Sequence, residues 1–227
     1  MQGKKAVYCG DIGCYTLGNV KPLDMVDTCL CMGADVTIAQ GLHMAEPETT
    51  CFSFIGDSTF FHSGISGVVN AVYNQSSIVL VVLDNGTTAM TGHQPHPGIG
   101  RNAAGGPAPK VSIEKLLEAI GVSVWKADPL DQASAVDAVR KAAEAPGVRA
   151  VLFASPCAAL ARDTTPNTVD TARCAGCGLC VGELGCPAMR MDEGKALIET
   201  SQCVGCGLCA SLCPVGCIGI EGEGVAL

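Results

Sequence analysis

A parallel α/β sheet with helices on both faces, followed by a small cysteine-rich α+β module, is the architecture expected of this 227-residue chain. Three observations lead there. Apolar, β-rich runs alternate with helical stretches over the first two thirds, the pattern of strands joined by helical crossovers. One run, Ile78-Val79-Leu80-Val81-Val82-Leu83, is apolar at every position, as a strand covered on both faces must be. Finally, nine of the fifteen cysteines lie between Cys174 and Cys217.

The elements follow in order. Lys5 to Cys9 reads as a strand, and Pro22 to Ala39 has helical potential. Residues 51–55 form a second strand, Ser58 to Asn74 a helix, and Ile78 to Leu83 the buried strand. Gly92 to Pro109 is rich in Gly and Pro and lacks periodicity, so it reads as a long loop, a kind that is usually functional or disordered. Ser112 to Ile120 is an amphipathic helix stopped by Gly121. A strand at Val122–Lys126, a helix near Asp131–Ala145 and a strand at Val148–Phe153 complete the series. A break rich in Thr, Pro and Asn follows. The expected organisation is a domain at 1–161, a linker at 162–172 and a second domain at 173–227.

Composition narrows the function. Charged residues are 16% and hydrophobic ones 48%, against about 25% charged in a typical soluble domain. That argues against disorder and fits a subunit that buries surface against partners. The net charge is −8 with no basic run, which excludes a nucleic-acid partner. The longest stretch free of Asp, Glu, Lys and Arg, Ser58 to Leu83, is broken by His62, Asn70, Asn74 and Gln75. No membrane span is expected, since one needs about 20 mainly apolar residues. Asp11 interrupts the start before a signal-peptide core could form, so the chain reads as cytoplasmic. A disulfide scaffold is then not the explanation for fifteen cysteines.

The cysteines fall into a repeat. Cys203-x2-Cys206-x2-Cys209-x3-Cys213-Pro214 has the spacing of bacterial two-cluster ferredoxins. Cys174-x2-Cys177-x2-Cys180-x5-Cys186-Pro187 is a variant with two extra residues before its fourth cysteine. Three thiolates of one loop converge on one cubane, while the fourth leaves in another direction and reaches the other. The expected [4Fe–4S] sets are Cys174, Cys177, Cys180 and Cys213, and Cys203, Cys206, Cys209 and Cys186. Zinc takes four ligands, fewer than this repeat supplies. Cys217 is expected to be a buried non-ligand.

The first domain carries a second signature. Gly56-Asp57-Ser58 ends one strand and opens a helix, and Asn85 follows the next strand. In a right-handed βαβ unit both strand ends lie on one sheet edge, so Asp57 and Asn85 can approach one cation. Both offer hard oxygens suited to Mg²⁺. The free N–H groups of the helix start favour an anion such as a diphosphate at the same place.

This pattern resembles the thiamine-diphosphate motif, with Ser58 in place of its third residue. The blocks Gly10–Gly18, Asp27–Gly33, Gly56–Gly64 and Leu83–Gly98 are more specific. In that order, and with the cysteine module behind them, they resemble the large subunit of the indolepyruvate:ferredoxin oxidoreductases, within the 2-oxoacid:ferredoxin oxidoreductases. The resemblance implies a thiamine-diphosphate-binding fold followed by a bacterial 2[4Fe–4S] ferredoxin domain. It implies Mg²⁺ on Asp57, Asn85 and the carbonyl of Thr87. Gly56, Ser58, Thr91 and Gly92 would line the diphosphate, and Gly13, Cys14, Cys31 and Met32 would face the rings. His62 and His93 are candidate substrate contacts. His43 and His96 are expected to be surface or packing residues, and Cys9, Cys29, Cys51 and Cys157 core.

The family also has an upstream pyrimidine-binding domain and a gamma-type domain, and the glutamate that activates the cofactor lies on the former. This chain therefore offers half a site, and a hetero-oligomer is expected. The implied activity is oxidative decarboxylation of an arylpyruvate-type 2-oxoacid, with coenzyme A as acyl acceptor and an external ferredoxin as electron acceptor. Two alternatives are an electron-transfer subunit whose thiamine-type scaffold is empty, and a non-oxidative decarboxylase.

Overall fold

The computed structural model describes residues 5–160 and 165–220. The chain separates into two compact units, one made of Met1–Asn19 and Met25–Cys157, the other of Val20–Asp24 and Ala158–Leu227. Among the described residues, no helix is long and apolar enough to cross a membrane.

The first unit is built on six strands: β1 (Ala6–Gly10), β2 (Thr28–Cys29), β3 (Thr50–Gly56), β4 (Ile78–Asp84), β5 (Ser123–Ala127) and β6 (Arg149–Ala154). Their order is β2-β1-β3-β4-β6-β5, and every pairing is parallel. Alternation along β4 explains its unbroken apolar run. Ile78, Leu80 and Val82 join one core with α1 (Ala34–Ala45), α3 (Ile65–Tyr73) and α4 (Ile113–Ile120). Val79 and Val81 face the other way, into a second core closed by Ala138 and Ala142 of α5 (Gln132–Glu144). Helices thus cover both faces, as expected.

Local chemistry sets the helix ends. The side chain of Ser112 accepts the Lys115 N–H at 3.2 Å, and Gly121, at φ 94°, closes the far end of α4. Asp131 caps α5 by accepting the Ser134 N–H at 3.2 Å. One helical run extends from Asp57 to Tyr73, as α2 (Asp57–Thr59), a π-turn at Phe60–Gly64 and α3.

The helix expected over Pro22–Ala39 is a correction. Residues Thr28–Cys29 are an edge strand, and Asp27 is tied to Tyr8 by two hydrogen bonds, N–H to carbonyl and carboxylate to N–H. The helix begins only after Gly33, whose φ of 84° an L side chain rarely adopts. A Cβ at Gly33 would meet the Ser63 hydroxyl at 2.3 Å. The helix then continues past Ala39 because Leu42 packs on the first core. Cys9 and Cys51 are buried as expected, whereas Cys29 on the sheet edge is exposed.

In the second unit, β8 (Met189–Asp192) and β9 (Lys195–Ile198) form an antiparallel hairpin. β10 (Ile218–Ile220) pairs antiparallel with β7 (Asn167–Val169), inside the stretch expected to be linker. Residues 167–169 have no periodicity of their own, and pairing with a strand about 50 residues away orders them. The two cysteine loops run into α6 (Leu179–Gly182) and α7 (Leu208–Leu212). Their backbones repeat: Gly176 and Gly178 stand at φ 69° and 74°, Gly205 and Gly207 at 65° and 78°.

A candidate cofactor cavity and a cysteine centre

The carboxyl ends of β1, β3, β4 and β6 share one sheet edge, and a cavity of about 390 Å³ opens there. Its size suits a small-molecule site. Of the eleven residues expected to hold a cofactor, nine line it: Gly13, Cys14, Met32, Gly56, Asp57, Ser58, Asn85, Thr87 and Thr91. Cys31 and Gly92 do not, and neither do His62 and His93, which are exposed. The chain turns at Gly92 (φ 113°) and His93 (φ 62°), so both leave the cavity wall.

Asp57 is the most constrained group. Its Oδ1 accepts the Ser58 N–H at 2.7 Å and its Oδ2 the Gly86 N–H at 2.8 Å. The same Gly86 N–H reaches Asp84 Oδ1 at 3.1 Å, so two carboxylates meet at one donor. Burial tends to raise the Asp57 carboxyl, but the His96 imidazole and then the Ser58 N–H outweigh it and hold it below its ordinary value. Asp84 moves the opposite way, raised by burial and then by the neighbouring Asp57. A cation would relieve that repulsion, and the donors are of the right kind: a carboxylate, the Asn85 amide and the Thr87 carbonyl. Hydroxyls flank them. The Thr88 hydroxyl donates to Ser58 Oγ at 2.8 Å, and Thr91 lines the same wall. The residues present therefore fit a divalent cation with a diphosphate.

A brace that sequence reading missed supports this edge. Asp11 is fully buried. Its Oδ1 accepts the Gly33 N–H, and its Oδ2 accepts the Tyr15 hydroxyl proton, each at 2.8 Å. The Tyr15 oxygen in turn accepts the Gly56 N–H at 2.9 Å. Burial, then the Asp11 carboxylate, keeps the Tyr15 phenol above its ordinary value, so it stays a donor. Three loops distant in sequence are thereby joined at the cavity, and Tyr15 itself lines it. Asp11 and Tyr15 lie in the same block as Gly13 and Cys14, which was the available signal.

His96 is buried, as a packing residue would be, and it also faces Asp57, which sequence reading did not anticipate. Its Nε2 lies 3.1 Å from Asp57 Oδ2. His43 is half-buried on α1, away from the cavity lining.

In the second unit, Cys174, Cys177, Cys180 and Cys213 line one small cavity, together with Cys217. Burial, with Cys177, Cys213 and Cys174 around it, raises the Cys180 thiol. Burial and then Cys206 and Cys203 push Cys209 up to about 11. Cys180 and Cys209 thus resist ionising, whereas backbone N–H groups lower Cys174, and iron takes all such donors as thiolates. The donors of the first set line one place, and Cys203 and Cys206 of the second stand close enough to Cys209 to act on its thiol. Cys186 packs on the same small core without lining the first cavity. Cys217 is buried, its Sγ 3.4 Å from that of Cys213.

Comparison with known proteins follows this geometry. The family described as thiamine pyrophosphate enzyme, C-terminal TPP binding domain, matches residues 11–152. The 4Fe-4S dicluster domain family matches residues 167–214. The indolepyruvate oxidoreductase subunit IorA of Methanothermobacter thermautotrophicus is 41% identical over 99% of this chain and 37% of that protein. The IorA of Archaeoglobus fulgidus is 45% identical over 78% of this chain and 29% of that protein. The chain thus spans about a third of the length of the curated relatives it matches. Among solved structures, a 2-oxoglutarate:ferredoxin oxidoreductase from Magnetococcus marinus superposes with a TM-score of 0.60 at 20% identity, over 69% of this chain and 56% of that one. That likeness bears on the fold alone. The sheet edge, the cavity donors and a family match over well over half the residues converge: the chain belongs to the thiamine pyrophosphate enzymes, through their C-terminal TPP-binding domain, and bears a 4Fe-4S dicluster domain behind it.

Proposed function

We propose that the chain is the cofactor-holding and electron-relaying part of a 2-oxoacid:ferredoxin oxidoreductase of the indolepyruvate type. The observation that carries this reading is co-occurrence: one chain holds both a cation-and-diphosphate cavity and two cysteine sets of ferredoxin spacing. Bound there, thiamine diphosphate supplies the electron sink for loss of carbon dioxide from a 2-oxoacid, and the clusters supply one-electron steps.

In this reading Asp57, Asn85 and the Thr87 carbonyl hold Mg²⁺. The hydroxyls of Ser58 and Thr91 and the N–H groups at the start of the Asp57–Tyr73 helical run bind the diphosphate. Ile12, Gly13, Cys14 and Met32 line the cavity and face the rings once the partner covers them. Cys174, Cys177, Cys180 and Cys213 hold one cluster, and Cys186, Cys203, Cys206 and Cys209 the other. Coenzyme A takes the acyl group, and an external ferredoxin takes the electrons.

The activating glutamate belongs to a pyrimidine-binding segment outside this chain, as does a gamma-type domain. A surface suited to such a partner exists on the first unit. Leu17 and Leu30 are 71% and 73% exposed, and Ile12, Met25 and Met32 are exposed as well, two of them at the cavity wall. Exposed apolar groups gathered beside a site mark an interface.

The test is anaerobic. The chain, purified with the partner that completes its site, is given indolepyruvate and coenzyme A while the visible iron–sulfur absorption is followed. Bleaching that depends on the 2-oxoacid is expected, with dithionite as the control for redox-competent clusters. Bleaching by dithionite alone, with no cofactor retained, would indicate an electron-transfer subunit on an empty scaffold. Aldehyde release without bleaching would indicate a non-oxidative decarboxylase.

A further inference from the structure

We propose that His96 is a positioning residue for the cation: it locks the Asp57 carboxylate in the orientation that metal binding requires. This rests on the Mg²⁺ and diphosphate reading of the cavity and deepens it.

The two side chains are each only 4% exposed, and Nε2 of His96 lies 3.1 Å from Oδ2 of Asp57. Nδ1 of the same ring accepts the Gly98 N–H at 3.2 Å. That bond assigns the tautomer, because a nitrogen that accepts has no proton. The ring proton is therefore on Nε2, the atom that faces the carboxylate. Nε2 is sealed from solvent and has no well-aligned hydrogen-bond partner; Asp57 Oδ2 is the charged atom it faces. A buried polar atom left like this is expensive unless a neighbour uses it.

The ring is also held from its faces. Phe61, on the π-turn of the helical run that begins at Asp57, stacks on it with centroids 5.7 Å apart and planes 27° apart. Gly98 lies against the edges of both rings: a Cβ there would come within 2.8 Å of the Phe61 ring and 3.0 Å of the imidazole. The backbone around His96 leaves one place for the ring.

The count of contacts on Asp57 gives the consequence. A carboxylate offers about four acceptor positions. Ser58 N–H takes one on Oδ1 and Gly86 N–H one on Oδ2, while His96 Nε2 stands 3.1 Å from Oδ2 and blocks its remaining side. Oδ1 keeps one position, and Asp57 lines the cavity. A carboxylate held by two hydrogen bonds and walled by an imidazole resists rotating away when a cation arrives. Groups that orient a ligating side chain in this way are typically worth 10–100-fold in metal affinity.

The experiment titrates Mg²⁺ calorimetrically into the intact complex with thiamine diphosphate present, for wild type, His96→Phe and His96→Gln. His96→Phe keeps a ring for Phe61 to stack on and removes the N–H. His96→Gln keeps an N–H within reach of the carboxylate. The expected result is a Mg²⁺ affinity about 10–100-fold weaker in His96→Phe, partly recovered in His96→Gln. The thermal midpoint measured without metal and the iron content should stay at wild-type values in both. Should His96→Phe fail to fold, His96→Gln against Phe61→Leu provides the comparison: loss of the stacking partner lets the ring wander and weakens Mg²⁺, while the amide holds it. Affinities within twofold of wild type overturn the proposal. So does a loss of affinity that merely follows a falling metal-free midpoint, since that is a packing role. Wild type taking up no Mg²⁺ with the cofactor present would overturn the cavity reading itself, and with it this inference.

Discussion

The sheet unit and the cysteine unit reach order by opposite means. In the first, the core is mostly Ile, Val, Leu, Phe and Ala, with Cys9 and Cys51 among them, disposed on two faces of a parallel sheet. In the second, four of the seven core residues are cysteines: Cys174, Cys180, Cys209 and Cys217. A segment this short buries too little apolar surface to hold itself without staples. The first unit therefore folds around its core and presents a site at its edge, whereas the second has its site in place of a core. A change in either should have a different reach.

The largest effect is expected in the second unit. Cys206→Ala removes a proposed ligand and should cost one cluster, about half of the iron, and open residues 165–220 to protease. The absorbance and iron assays that follow it should leave the far-UV signal of the sheet unit almost intact. Cys217→Ala sharpens the point, because this thiol lines the centre without belonging to a set: iron content should be unchanged. Loss of iron there would make Cys217 a ligand and break the assignment of Cys213.

Leu80→Ala tests the other side. Leu80 is fully buried on the central strand, so the cavity left behind should cost about 2–5 kcal/mol in denaturant unfolding of the sheet unit. The spectrum of the clusters should not change. A parallel loss of iron would mean that the two units do not stand on separate foundations.

Next comes a pH effect confined to the sheet unit. Asp35 is fully buried against Ser53, and burial, ahead of the nearby Asp11, pushes its carboxyl from 3.8 up to about 7. A carboxyl raised on folding binds protons in the folded state that the unfolded state has released. Stability should therefore be greatest below about pH 4 from this group alone and fall as pH rises to about 7, by at most about 4 kcal/mol. Asp35→Asn should flatten that slope in thermal melts taken across the interval. An unchanged slope would mean that the carboxylate is stabilised by contacts other than those seen.

The smallest effect is expected on the surface of α5. Lys141 and Asp137 pair at 2.6 Å one turn apart, both side chains at least half exposed. Lys141→Ala should change stability by about 0.5 kcal/mol or less, and less again in high salt.

Legibility in the sequence divides along the same line. The strand and helix series from residue 51 to residue 154 was readable within a residue or two, because amphipathic periodicity, Ser112, Gly121 and Asp131 act within a few residues of themselves. Before it, the strand at Lys5–Cys9 was equally readable, but the helix over Pro22–Ala39 was not. The start of α1 depends on Gly33 meeting Ser63 and Asp11, partners 30 and 22 residues away. Nine of eleven expected cofactor residues line the cavity because the motif blocks sit at strand ends. Cys31 and Gly92 miss it because a block says which loop is near, not which way each side chain of that loop points.

The amino-acid sequence alone determined the parallel α/β scaffold, the gathering of Cys174, Cys177, Cys180 and Cys213, and the placing of Asp57 and Asn85 along one sheet edge. All three depend on spacing along the chain, which backbone geometry converts directly into position. Only the tertiary structure decided that Tyr15 links Asp11 to Gly56, that β7 pairs with β10, and that His96 lies against Asp57. Those contacts join segments whose separation in sequence carries no period. They come from the register of the sheet and the path of its loops, which exist only once the chain has folded.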